Sequence, residues 1–106
     1  MKISFDFDSV LSGIRMQNIA KSLITAGHEV WITTTRKANP PLTASYNNTY
    51  LFLVAETLNI PRERIQFTEC KDKYLFLDGF DVHFDDDEIE IELLKEHLPS
   101  CLAILY

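Results

Sequence analysis

The sequence predicts an α/β protein in which helices cover both faces of a parallel, five-stranded sheet. Three observations lead to this prediction: short runs of β-branched and aromatic residues, longer segments with apolar residues at helical spacing, and a regular alternation of the two along the chain. Neighbouring parallel strands need a crossover of a dozen or more residues, which is usually a helix. Alternation at this spacing is therefore typical of a parallel sheet, and right-handed crossovers restrict its topology.

The first part of the chain predicts a strand, a helix and a second strand. Ile3–Phe7 alternates apolar and polar residues, as a half-buried strand does. Glu29–Thr34 is rich in β-branched and aromatic residues, and Gly27 precedes it at the place of a helix C-terminal cap. Between the strands, apolar residues recur at the spacing of an amphipathic helix: Met16, Ile19, Ala20, Leu23 and Ile24.

The middle of the chain begins with its one long loop, Lys37–Asn48, which contains two consecutive prolines and several small polar residues. Tyr50–Leu58 returns to helical spacing. Arg64–Phe67 predicts a short third strand, and Lys73–Leu77 a brief helix.

The last part predicts a strand, a helix and a strand. Phe80–Phe84 alternates and is the fourth strand, Ile89–Leu98 has apolar residues on one helical face, and Cys101–Leu105 is a wholly apolar fifth strand.

Length and charge narrow the function classes. The 106 residues suffice for one domain, residues 1–106, with a single core. A net charge of −6 leaves no basic excess to neutralise phosphates, so binding to bulk nucleic acid or to a membrane surface is not expected. No apolar run approaches the roughly 18 residues of a membrane span.

The start of the chain and its cysteines bear on location in the cell. No targeting segment precedes the first strand, and Cys70 and Cys101 match no CxxC pattern. We therefore expect a soluble cytoplasmic protein with reduced thiols.

Polar side chains follow three of the predicted strands. Asp6 and Asp8 close the first strand, Thr33-Thr34-Thr35-Arg36 closes the second, and Asp85-Asp86 follows the fourth. Lys73 opens the brief helix after the third. Because ligands bind at the carboxyl ends of parallel strands, we expect these residues to converge. Residues at i and i+2 of a strand share a face, so Asp6 and Asp8 are expected to point the same way.

The chemistry of these side chains suits a cation and a phosphate. Two like charges this close are unfavourable unless a cation or a shared proton relieves them. Mg²⁺ accepts one or two carboxylates together with water and substrate phosphate. A threonine hydroxyl and a lysine ammonium are suitable donors to phosphate oxygens. The residues therefore predict a magnesium and phosphate site.

The order of these motifs resembles that of the haloacid dehalogenase-like (HAD) phosphohydrolase superfamily. The likeness comprises Asp-x-Asp-x-Val after the first strand, a threonine after the second, a lysine, and an aspartate pair after the fourth. Val30–Arg36 and Phe84–Asp87 are most similar to small nucleotidase-like members. The resemblance implies a three-layer α/β/α sandwich with strand order 5-4-1-2-3. Few residues separate the motifs from the following helices, so no cap domain is expected.

The resemblance also implies the role of each residue. Asp6 would be the nucleophile that becomes an aspartyl-phosphate, and Asp8 the general acid and then base. Thr34 would hydrogen-bond the transferred phosphoryl group, and Lys73 would offset charge on it. Mg²⁺ would be held by Asp6, the backbone carbonyl of Asp8 and Asp85, with Asp86 close by.

The expected substrate is a phosphorylated small molecule, such as a nucleotide, or the phosphorylated end of a larger substrate. Thr35 and Arg36 are the predicted substrate-binding residues, with Arg36 able to meet a second anionic group. A site without a cap is open to water, so the Lys37–Asn48 loop, a second subunit or the substrate itself is expected to cover it.

Several alternatives stay open from the residues alone. Strand alternation puts Thr33 and Thr35 on one face and Thr34 on the other, and Thr34 is preferred only because Thr-Thr-Arg is similar to the family's Thr-Ser/Gly-Arg variants. Lys71 competes with Lys73. His83, inside the fourth strand, fits no metal-ligand or triad spacing and is expected to be structural. The alternative functions are a receiver-like signalling domain that accepts a phosphoryl group, and a HAD-fold binding module without catalysis.

Overall fold

The computed structural model describes residues 1–106 and contains one five-stranded sheet. Its strands lie in the order β3-β2-β1-β4-β5, and every neighbouring pair is parallel. The predicted α/β class and the order 5-4-1-2-3 are thus confirmed. The strands are β1 (Lys2–Phe5), β2 (Glu29–Thr34), β3 (Ile65–Phe67), β4 (Val82–Asp85) and β5 (Leu102–Leu105). The helices are α1 (Ile14–Thr25), α2 (Thr49–Thr57) and α3 (Glu88–His97).

Three single turns complete the fold: a wide turn at Phe7–Leu11 and 3₁₀ turns at Arg62–Arg64 and Lys73–Phe76. Two of them, at Phe7–Leu11 and Arg62–Arg64, shorten predicted strands. The Arg62–Arg64 turn delays β3 to Ile65. β4 begins at Val82 rather than at Phe80, although the Asp81 amide already donates to the Lys2 carbonyl and the Asp81 carbonyl accepts the Leu102 amide.

The first strand also ends earlier than predicted, at Phe5 rather than Phe7. Asp6 is still extended and its amide donates to the Phe84 carbonyl, but Ser9 adopts a left-handed conformation with φ of 60°. The Leu11 amide then bonds back to the Asp6 carbonyl. The chain therefore turns away from the sheet just after Asp6.

Two apolar clusters lie on opposite faces of the sheet and make it the middle of three layers. The larger cluster joins β1 and β2 side chains such as Phe5 and Ile32 to residues of α1 and α2, among them Met16 and Leu51. The smaller cluster contains Leu77, Phe80, Leu94 and Cys101, with Leu94 contributed by α3. Burial of both clusters provides the main driving force for folding. The predicted sandwich is thus present.

The face that carries the smaller cluster becomes polar toward the carboxyl ends of the strands. Ser4 and His83 are paired across β1 and β4, and both are fully buried. Strand alternation places Asp85 on the same face as His83. We call the side of the sheet that carries the smaller cluster the α3 face. At its polar end, charged side chains can contact one another below the protein surface. No helix in the molecule is both long and apolar enough to cross a bilayer.

Candidate functional site

A buried cluster of Asp6, Lys73 and Asp85 lies at the carboxyl end of β1 and β4. The Lys73 Nζ is 2.9 Å from Asp6 Oδ1 and 2.6 Å from Asp85 Oδ2. Lys73 is only 2 % exposed, Asp6 6 % and Asp85 0 %. Residues far apart in sequence therefore meet in one ion cluster because the parallel sheet brings its strand ends together. Lys71, the alternative lysine, is exposed.

The position of Lys73 is fixed by α3. Lys73 begins a 3₁₀ turn, and its backbone amide donates to Glu90 Oε2 at 3.0 Å. Glu90 is itself buried, and burial raises its pKa. Because Glu90 holds the main chain, the Lys73 side chain is free to extend toward the strand ends.

The two buried carboxylates share one ammonium group. Burial raises the pKa of Asp6 to about 7, with the charge of Asp85 adding to the rise and Lys73 opposing it. Burial acts in the same sense on Asp85, but hydrogen bonds from His83 and Lys73 outweigh it and lower the pKa of Asp85. Burial opposes the charge of Lys73, yet the two carboxylates keep its pKa raised. A further cation beside Asp6 would stabilise its ionised form.

Asp86 joins the two buried aspartates on the solvent side. One carboxylate oxygen from each of Asp6, Asp85 and Asp86 lies within 4.8 Å of the other two. Oxygens on opposite sides of a bound Mg²⁺ or Ca²⁺ are about 4 to 5 Å apart. Three carboxylates offset by one ammonium provide the hard oxygen ligands and the excess negative charge that such a cation requires. The residues present therefore fit a divalent cation.

His83 makes a contact with Asp85 that is not expected for a structural histidine. Its Nε2 lies 2.8 Å from Asp85 Oδ2, and both side chains are fully buried. Burial lowers the pKa of His83. The signal that could have revealed this contact is the strand period, since residues 83 and 85 share a face of β4.

Glu90 was also missed, for a different reason. It stands three residues after Asp87, whose side chain caps α3 by accepting the Ile89 amide. A glutamate at that position usually turns back to the cap residue. Here it binds the Lys73 amide instead, and only the packing of the 3₁₀ turn on α3 makes that partner available.

Asp8 lies apart from the buried cluster. Its carboxylate accepts two hydrogen bonds from Arg36, from Nε at 2.9 Å and from Nη2 at 2.6 Å. The Asp8 side chain is 54 % exposed, whereas that of Asp6 is 9 % exposed. The prediction that strand alternation places Asp6 and Asp8 on one face is therefore wrong, because the strand ends before either residue.

The three threonines after β2 have different surroundings. The Thr33 hydroxyl accepts a hydrogen bond from Ser4 in the interior. Thr34 is fully buried, and its hydroxyl accepts the Arg36 amide at 3.3 Å rather than contacting the buried carboxylates. Thr35 is exposed, and its carbonyl accepts the Cys70 amide.

A cavity of about 370 Å³ adjoins Asp8 and opens to solvent. The long loop closes one side of it, since Tyr46 packs its ring against the Arg36 guanidinium at 4.8 Å. Asn48 anchors the loop by donating to the carbonyls of Lys37 and Ala38. The predicted substrate-binding residues Thr35 and Arg36 therefore line a common cavity. Its lining is Asp8, Thr35, Arg36, Ser45, Tyr46 and Cys70.

The structure thus divides the predicted site residues into two groups. Asp6, Lys73, Asp85 and Asp86 form the acidic cluster, while Asp8, Thr35 and Arg36 line the neighbouring cavity. Searches of family models, curated proteins and solved structures return no match to this chain.

Proposed function

We propose that this chain is a Mg²⁺-dependent phosphomonoester hydrolase of the HAD type that acts through an aspartyl-phosphate on Asp6. The observation that supports this most is the buried Asp6–Lys73–Asp85 cluster with Asp86 at its rim. It places a carboxylate, an ammonium group and a cation-binding set of oxygens within one small volume at a sheet edge where ligands bind. The order of the sequence motifs agrees with the same reaction.

Asp6 supplies the nucleophile. Lys73 bonds to Oδ1, and no other donor is hydrogen-bonded to the side chain, so Oδ2 can attack phosphorus. The new Asp6–phosphorus bond forms as the bond from phosphorus to the leaving oxygen breaks, and Asp8 gives that oxygen a proton. Water then attacks the phosphorus of the aspartyl-phosphate, Asp8 takes a proton from it, and inorganic phosphate leaves with Asp6 restored.

The remaining residues stabilise charge. Lys73 lies against the nucleophile and can offset the negative charge that builds up on the transferred phosphoryl oxygens. Asp6, Asp85 and Asp86 would hold Mg²⁺, with the backbone carbonyl of Asp8 as a further ligand. An ion held there would supply positive charge to offset that of the phosphoryl oxygens and so reduce the charge repulsion that Asp6 must overcome. Thr34 would need to release the Arg36 amide before its hydroxyl could reach a phosphoryl oxygen.

The neighbouring cavity supports a small phosphomonoester as substrate. Its volume of about 370 Å³ lies at the lower end of the range for small-molecule sites. Thr35 and Arg36 would contact the organic part or a second anionic group. A nucleotide or a phosphorylated nucleic-acid end has both an organic part and a second anionic group. The long loop, held by Asn48, would serve in place of a cap.

One observation favours a second candidate, a domain that accepts a phosphoryl group and keeps it. Arg36 occupies both carboxylate oxygens of Asp8, so Asp8 is not free to activate water while that pair persists. A phosphorylated Asp6 would then be long-lived, as in a receiver-like signalling domain.

The experiment that tests the proposal measures hydrolysis of an aryl phosphate with and without Mg²⁺ by the wild type, Asp6→Asn and Asp8→Asn. Turnover that depends on Mg²⁺ and is reduced at least about a hundredfold by either change is expected, since general acid–base catalysis alone contributes about 10²–10⁴-fold. Asp78→Asn, an exposed position with no side-chain hydrogen bond, is the matched control.

The outcomes separate the candidates. Activity that survives Asp6→Asn would exclude the covalent mechanism. Stable phosphorylation of Asp6 without turnover supports the signalling domain. Divalent-cation binding with neither phosphorylation nor turnover would leave only a binding module.

A further inference from the structure

We propose that His83 is a positioning residue that orients Asp85 and selects the carboxylate oxygen it offers to a divalent cation. This inference rests on the proposed function, because it takes Asp85 to be a ligand of that cation. It assigns a role to a side chain that lies behind the site and touches neither substrate nor solvent.

The imidazole proton of His83 lies on the nitrogen that faces Asp85. Asp85 is ionised beside Lys73, and an ionised carboxylate can only accept hydrogen bonds. The 2.8 Å contact between His83 Nε2 and Asp85 Oδ2 therefore requires the proton to be on Nε2. The opposite nitrogen, Nδ1, is buried and has no hydrogen-bond partner. His83 thus presents an Nε2–H group to Asp85.

The two carboxylate oxygens of Asp85 have different hydrogen-bond partners. Oδ2 accepts from both Lys73 Nζ and His83 Nε2, which uses both of its lone-pair positions. Oδ1 accepts only the Asp87 amide at 3.1 Å and keeps one position free. The cation is therefore offered Oδ1. Without His83, Oδ2 would regain a free position and the carboxylate could rotate.

Packing alone does not explain a histidine at position 83. His83 is fully buried between Ser4 of β1 and Ala103 of β5. Burying a ring nitrogen without a partner is unfavourable, so an apolar side chain would serve packing alone better at this position. The contact with Asp85 is the one hydrogen bond that the imidazole makes to another side chain, which agrees with a role directed at that carboxylate. Partners behind a metal ligand commonly set its orientation in this way.

The test measures the dissociation constant of Mn²⁺, a divalent cation with a magnetic signal, for the wild type, His83→Leu and His83→Gln. Leucine fills the site without a donor, whereas glutamine keeps an N–H group that can reach Asp85. His83→Leu is expected to weaken binding about 10–100-fold, and His83→Gln is expected to bind nearly as tightly as the wild type. His28→Leu, at the opposite end of the strands, is the matched control.

A purely structural role would make both substitutions equally harmful, or equally harmless, to Mn²⁺ binding. Equal affinity in wild type and His83→Leu would overturn the inference and leave the proposed function standing. Absence of Mn²⁺ binding by the wild type would overturn the proposed metal site and this inference with it.

If His83→Leu fails to fold, nitrogen NMR of the wild-type protein tests the inference by showing which imidazole nitrogen of His83 carries the proton. The expected result is a ring that carries a proton on Nε2. A ring protonated on Nδ1 alone would contradict the inference, since Nε2 would then have no proton to donate to Asp85.

Discussion

The Arg36 guanidinium bonds to both carboxylate oxygens of Asp8, at 2.6 and 2.9 Å, and lies over the rings of Phe7 and Tyr46. A bidentate pair of this kind is geometrically specific. Arg36 therefore has two roles in the proposed reaction. It holds the Asp8 carboxylate in the free protein, and it binds an anionic group of the substrate. The first role affects kcat and the second affects KM, so kinetic measurements can separate them.

We predict that Arg36→Gln raises kcat on a substrate with a single phosphate group, because Asp8 is released for proton transfer. On a substrate with a second anionic group, KM should rise about tenfold, the effect of losing roughly 1.4 kcal/mol of binding. Steady-state kinetics with one substrate of each kind measures both constants. Arg64→Gln, which removes a partly exposed surface cation, is the control. A lower kcat on both substrates with KM unchanged would contradict the prediction.

The two thiols are predicted to react at very different rates. Cys70 is exposed and lines the cavity, whereas Cys101 is buried among apolar residues, and burial raises the pKa of its thiol. Since the thiolate is the reactive form, an alkylating reagent should modify Cys70 alone under native conditions, and both after unfolding. Peptide mass spectrometry distinguishes the sites. Modification of Cys101 in the folded protein would show that the α3 face opens more readily than its packing implies.

At the level of elements, the 3₁₀ turn that carries Lys73 depends on α3. Glu90 reaches from the first turn of α3 to the Lys73 amide, and no other side chain bonds to that amide. The turn is a single one, so it has few hydrogen bonds of its own to keep its place. The position of the Lys73 ammonium therefore depends on a helix that follows it in the sequence.

We predict that Glu90→Ala lowers the free energy of unfolding by about 1–3 kcal/mol, the cost of leaving a buried amide without a partner. Glu92→Ala, on the exposed side of the same helix, should change it by less than about 0.5 kcal/mol. Urea unfolding followed by circular dichroism measures both. If the two variants are equally stable, Glu90 does not hold the turn.

The strands and helices were largely predictable because their apolar spacing is local information. The residues at which the strands and helices begin and end were less predictable. β1 was expected to reach Phe7, but the turn at Phe7–Leu11 depends on a left-handed Ser9, for which a serine gives no strong signal. The displacement of Asp8 from the expected face follows directly from that turn.

Contacts within the site were predictable only where strand ends impose them. The convergence of Asp6 and Asp85 follows from the parallel order of β1 and β4, and Lys73 was preferred over Lys71. The Arg36–Asp8 pair and the Glu90 contact depend on how a loop and a single turn pack, which no local pattern records. The roles proposed for these residues stay predictions.

At the level of the whole molecule, the buried carboxylates set how stability depends on pH. Burial raises the pKa of Asp6 from 3.8 to about 7. Between these values the folded protein binds a proton that the unfolded chain does not, so in the absence of metal the free energy of unfolding falls as pH rises from about 4 to about 7. The lowered pKa of Asp85 acts in the opposite sense, because its contribution is lost as pH falls.

We therefore predict that, in a chelating buffer at pH 8, Asp6→Asn is more stable than the wild type. A gain of about 1 kcal/mol corresponds to a rise of about 4–8 °C in Tm for a domain near this size. At pH 5 the gain should be smaller, and Mg²⁺ at pH 8 should stabilise the wild type more than the variant. Thermal unfolding with Asp78→Asn as the control tests this. A variant less stable than the wild type at pH 8 would contradict it.

The central claim is that Asp6 carries a phosphoryl group during turnover. The most direct measurement incubates the protein with an aryl phosphate and Mg²⁺, quenches it in acid, reduces the acyl phosphate with borohydride and maps the product by peptide mass spectrometry. We expect conversion of Asp6 to homoserine, and we expect no conversion without Mg²⁺ or in Asp6→Asn. Hydrolysis of the substrate with no modified Asp6, or with the modification at another aspartate, would contradict it.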